Sequence, residues 1–107
     1  MSVLEKNKID GIGISKDANK VALMITDHLN WENEIEHLTL LQEKINAYIS
    51  FIESEQVYDV YPELSQIDGF ILDIRFKYAP TENCIQLVNI FETKLKDLKI
   101  EFQLHIS

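Results

Sequence analysis

The chain has 107 residues, 46% hydrophobic and 26% charged, with three Gly and two Pro, a composition that fits one globular domain and argues against a disordered or collagenous chain. The single cysteine, Cys84, excludes an internal disulfide, and no apolar run approaches the roughly 20 residues of a membrane-spanning helix. A formal net charge of −8 argues against direct nucleic-acid binding, which needs clustered Lys and Arg. Residues 1–8 carry no apolar leader and read as frayed, so a cytoplasmic domain spanning 1–107 is expected.

Residues 9–15 (IDGIGIS) alternate like a short strand, weakened by Gly11 and Gly13. Residues 16–19 are turn-like, and residues 21–28 (VALMITDH) form a second strand with Val21, Leu23 and Ile25 on one face. The pair is expected as a hairpin. Asn30 is the expected N-cap of a long helix that runs to about residue 55, with Glu32 and Glu34 in its first turn. Trp31, Ile35, Leu38, Leu41, Ile45, Tyr48, Ile49 and Ile52 recur at steps of three and four and mark its buried stripe. Leu40, Ala47 and Phe51 share a second line nearly opposite Leu38, a candidate surface for association with another element or a second copy of the chain.

Residues 56–66 (QVYDVYPELSQ) form an aromatic connection in which Tyr58 and Tyr61 either pack the loop down or offer a recognition surface. A third strand is expected over 67–78, with Phe70, Leu72, Ile74, Phe76 and Tyr78 on one face and Ile71, Asp73, Arg75 and Lys77 on the other. Pro80 or Thr81 opens a second helix whose stripe is Cys84, Leu87, Val88, Phe91, Leu95 and Leu98. A last strand follows, with Ile100, Phe102, Leu104 and Ile106 alternating with polar residues. The order β-β-α-β-α-β, with strands apolar on one face only, predicts an α+β two-layer sandwich. It combines a mixed four-stranded sheet with two helices on one face. Strand order is not legible.

Charge is concentrated. Between Asp27 and Glu63 stand nine acids and one base, Lys44, which accounts for the whole net charge. Such a stretch either keeps the surface solvated or attracts a basic partner. The densest polar cluster, residues 27–32 (DHLNWE), falls where a strand ends and the long helix begins, a common place for ligands. Asp27, His28 and Trp31 are the candidate residues there, with His37 further along the helix. Trp31 and His37, six residues apart, are not expected to meet. HExxH and HxxxH patterns are absent, and Gly11 and Gly13 lack the third glycine of a phosphate loop, so neither a metal nor a cofactor is implied. Cys84 sits on an apolar stripe and reads as a small buried hydrophobe.

Two stretches, residues 25–36 (ITDHLNWENEIE) and 37–55 (HLTLLQEKINAYISFIESE), resemble a family of short bacterial proteins known only as a domain of unknown function. The resemblance implies a small stand-alone α/β domain and transfers no activity. It draws attention to Asp27, His28, Trp31, His37 and Tyr61. The function expected from the residues is a small acidic interaction protein, self-associating or meeting a basic partner in the manner of an inhibitor or immunity protein. The rival expectation is an enzyme or small-molecule binder centred on Asp27, His28 and Trp31.

Overall fold

The computed structural model describes residues 11–15, 20–55 and 68–106. The elements are β1 (Gly11–Ser15), β2 (Lys20–Asp27), α1 (Glu34–Glu53), β3 (Gly69–Phe76), α2 (Glu82–Lys94), a single 3-10 turn (Lys96–Leu98) and β4 (Ile100–Ile106). The sheet order is β1-β2-β3-β4. β1 pairs antiparallel with β2, whereas β2–β3 and β3–β4 are parallel. The predicted mixed sheet and element order are therefore found, and the strand order that the sequence withheld is the sequential one.

Alternation assigns the faces. Val21, Leu23 and Ile25 of β2, Phe70, Leu72, Ile74 and Phe76 of β3 and Ile100 of β4 join Leu41, Ile45, Tyr48, Ile49 and Ile52 of α1 and Cys84 and Val88 of α2 in one core cluster. Both helices thus cover one face. The opposite face presents Arg75, Glu101, Gln103 and His105 to solvent, yet Ile71 and Asp73 on the interior strand β3 are buried there as well. Tyr48 adds a polar tie, its hydroxyl donating to the Met24 carbonyl at 2.6 Å.

Three expectations need correction. The N-cap of α1 is Asn33, whose side chain accepts from Glu36 N–H at 3.2 Å while its amide donates to Glu36 Oε2 at 3.1 Å. Asn30 instead accepts from Glu32 N–H within the preceding turn. Ile35, placed on the buried stripe by spacing, is 79% exposed; it stands about 200° around the helix from His37, away from the sheet. Leu98, expected on the second stripe, is exposed because α2 ends at Lys94 and the chain tightens into the 3-10 turn. The Leu40–Ala47–Phe51 line is half-buried, and Leu40 and Phe51 pack against the core.

Lys44 is the feature that spacing allowed and residue type concealed. It lies three residues after Leu41 and four before Tyr48, and it is 0% exposed, with its ammonium 5.3 Å from the Tyr48 ring centroid. The one base of the acidic helix is therefore withdrawn from its surface.

The C-terminal end of α1 is locally unfavourable. Its last turn has no basic residue, and Glu55, just beyond the Ser54 cap, adopts φ 63°, a conformation that costs a non-glycine residue about 1 kcal/mol. Glu55→Gly is therefore expected to raise stability by about 0.5–1 kcal/mol, read as a higher urea midpoint at unchanged slope.

Candidate functional site

β2 ends at Asp27, and the next six residues turn the chain into α1 through two side-chain-capped bends. Asp27 Oδ1 accepts from Leu29 N–H at 3.1 Å, and Asn30 Oδ1 accepts from Glu32 N–H at 3.1 Å. The Asp27 carbonyl accepts from Lys77 N–H at 2.9 Å, fixing the ends of β2 and β3 together.

His37 then closes the loop. Its Nε2 lies 2.5 Å from Asp27 Oδ2 and its Nδ1 lies 2.9 Å from the Asn30 carbonyl oxygen. A carbonyl only accepts, so Nδ1 donates, and one proton lies between Nε2 and the carboxylate. Both ring nitrogens are thereby engaged, and the ring is 2% exposed. Trp31 stacks on it at 3.6 Å between centroids and 17° between planes, and leans on Phe76 at 6.4 Å. The expectation that Trp31 and His37 stay apart is thus overturned: Trp31 precedes the helix, and the turn folds it back over the first helical turn. The buried Trp31 Nε1 has no hydrogen-bond partner among the described residues.

His28 separates from its neighbour. It is exposed on the wall of a cavity of about 430 Å³ that is also lined by Asn30, Glu32, Glu36, His37 and Tyr78. Asp27 lies beneath this cavity as the buried anchor of His37. Among the described residues, no group of three or more His, Cys, Asp or Glu side chains is placed to hold a metal. Tyr58 and Tyr61 lie outside the described residues.

Two further groups shape this end of the fold. Hydrogen bonds from the Thr81 and Asn83 side chains hold the Glu34 carboxyl below its ordinary pKa, tying the start of α1 to the start of α2. Burial, followed by the negative charges of Asp27 and Glu34, pushes the Cys84 thiol up to about 12. A thiol protonated in the fold at pH 8 is a poor nucleophile, so Cys84 should resist iodoacetamide there and react only on unfolding; rapid native labelling would contradict its placement. The same shift has a sign for stability. The folded chain holds this proton more tightly than the unfolded one, so the contribution is complete below pH 9 and declines as pH rises toward 12.

A larger cavity of about 630 Å³ opens at the other end of the sheet, but its lining alternates Lys20, Lys96 and Lys99 with Asp68, Glu92 and Glu101 and carries no net charge preference.

These features define a small two-layer α+β protein with an acidic cavity beside the first turn of its long helix. The chain belongs to a family of unknown function, DUF6572, whose model matches residues 1–107. No curated protein and no solved structure matches it. Among the described residues, no helix is long and apolar enough to cross a membrane.

Proposed function

We propose that this protein is a small acidic interaction module that receives a cationic side chain of a basic partner protein in the cavity beside α1. The observation that carries this reading is the lining itself: the Glu32 and Glu36 carboxylates and the 44%-exposed Tyr78 ring share one concavity, a combination suited to an ammonium or guanidinium group.

The rest of α1 extends the same charge. Glu43 and Glu53 are exposed along it, and Glu55 follows its end, while Lys44 is buried. Acids in the first turn have a local explanation, because the helix dipole favours them. Glu53 and Glu55 have none, since carboxylates at a helix C-terminus oppose the dipole. Their presence against local stability supports a role in attraction. Occupying the cations of a partner is also how an inhibitor or immunity protein would act.

The enzyme reading is less supported. Both nitrogens of His37 are already bonded, Asp27 is committed to His37, and the Cys84 thiol is buried and protonated. Calorimetry with an oligolysine peptide checks the proposal: affinity should fall steeply between about 50 and 200 mM salt, and Glu32→Lys with Glu36→Lys should weaken it at least about tenfold. Binding indifferent to salt and to both substitutions contradicts it.

A further inference from the structure

Among the described residues, β4 is an edge strand with one neighbour, β3. Phe70 N–H donates to the Lys99 carbonyl at 3.0 Å, so in the parallel ladder the odd-numbered residues of β4 turn their peptide groups toward β3. The even-numbered ones turn theirs toward the open edge. The Phe102 N–H is among the latter, and it donates to the Glu92 carboxylate at 3.3 Å. The helix-side residues of this strand are also incompletely covered: Phe102 and Leu104 are half-buried and Ile106 is 62% exposed.

We propose that a second copy of this chain pairs with β4, antiparallel, about a twofold axis passing through Gln103. The matching of carboxylate to imidazole on one face and of apolar to apolar on the other selects this occupant and this register. Centring on Gln103 sets Glu101 opposite His105 of the second copy, and His105 opposite its Glu101. The helix-side pairs are then Phe102 with Leu104 and Ile100 with Ile106, apolar against apolar. Shifting the centre to Phe102 or Leu104 sets Glu101 and His105 opposite other residues.

Within one chain Lys20 Nζ lies 2.5 Å from Glu101, and Asp73 Oδ1 lies 3.2 Å from His105 Nε2 without hydrogen-bond geometry. The proposed pairing joins these into a row of alternating donors and acceptors: Lys20, Glu101, then the second copy's His105 and Asp73. The twofold repeats the row in reverse. Even-numbered residues meet as hydrogen-bonded pairs, and Glu101 and His105 as the closer, non-hydrogen-bonded pairs. The Phe102 N–H exchanges the Glu92 carboxylate for a carbonyl of the second copy.

Sedimentation of the full chain tests this with two single variants. The wild type should dimerise in the micromolar range. His105→Glu sets carboxylates opposite each other, and Glu101→Lys removes the attraction. Each variant should raise the dissociation constant at least about tenfold. An equimolar mixture of the two should dimerise again, because the introduced lysine of one chain then faces the introduced glutamate of the other, a recovery that misfolded variants would not give. A wild type that stays monomeric at high micromolar concentration overturns the proposal. So does a dimer indifferent to both substitutions, as one formed through the helices would be, or a mixture no better than its components.

Discussion

Asp27→Ala is expected to lower the unfolding free energy by about 3 kcal/mol, because it leaves two buried or part-buried groups, His37 Nε2 and Leu29 N–H, without their partner. The carboxylate accepts from Leu29 N–H and holds His37 Nε2, and both side chains are excluded from water. Without it the His37 ring keeps one bond, to the Asn30 carbonyl, and leaves its second nitrogen buried beneath Trp31. Since small domains hold only about 5–15 kcal/mol in total, the variant should be partly unfolded at 37 °C. Asp27→Asn retains an acceptor for Leu29 N–H and should lose less. Urea melts of Asp27→Ala, His37→Ala and the double variant provide the check, with strong coupling expected between the two sites. Additive effects, each below about 1 kcal/mol, would mean that the contact contributes nothing.

Gly69→Val is expected to cost about 3 kcal/mol, for a different reason. A Cβ at this position would stand 2.7 Å from the Lys99 carbonyl oxygen. That oxygen is backbone, so the clash is relieved only by separating the strands. The same carbonyl accepts the first β3–β4 hydrogen bond, from Phe70 N–H. Lys99 is itself held at φ 59°, so the segment has little freedom to yield. The effect exceeds an ordinary surface substitution because overpacking and a lost ladder bond act together. Hydrogen exchange should show lost protection in β4 while β2 stays protected; a melt unchanged from wild type would contradict the close approach of the two chains.

Elements with an unambiguous period were legible in the sequence. Leu41, Ile45, Tyr48, Ile49 and Ile52 stand at helical spacing and all are buried. Alternation in β2 and β3 likewise assigned the covered face. The start of α1 was less legible because Asn30 and Asn33 are both plausible caps, and both do cap a bend. That three-residue difference hid the stacking of Trp31 on His37, since a tryptophan inside the helix would point elsewhere. Lys44 escaped because an apolar stripe was sought by residue type, although its position fits the stripe. Asp27 and His28 were grouped by adjacency, whereas alternation along an extended chain sends neighbours to opposite sides. Here one is buried and the other exposed. The importance of the β4 edge depended on strand order, which no local pattern encodes.

Docking of cations beside the first turn of α1 can be read residue by residue from amide chemical shifts during titration with oligolysine. Shifts should concentrate at Glu32, Asn33, Glu36 and Tyr78, trail along the outer side of α1 toward Glu53 and collapse as salt is raised. Shifts confined to the opposite sheet face around Arg75 and Gln103, or absent altogether at low salt, would contradict it.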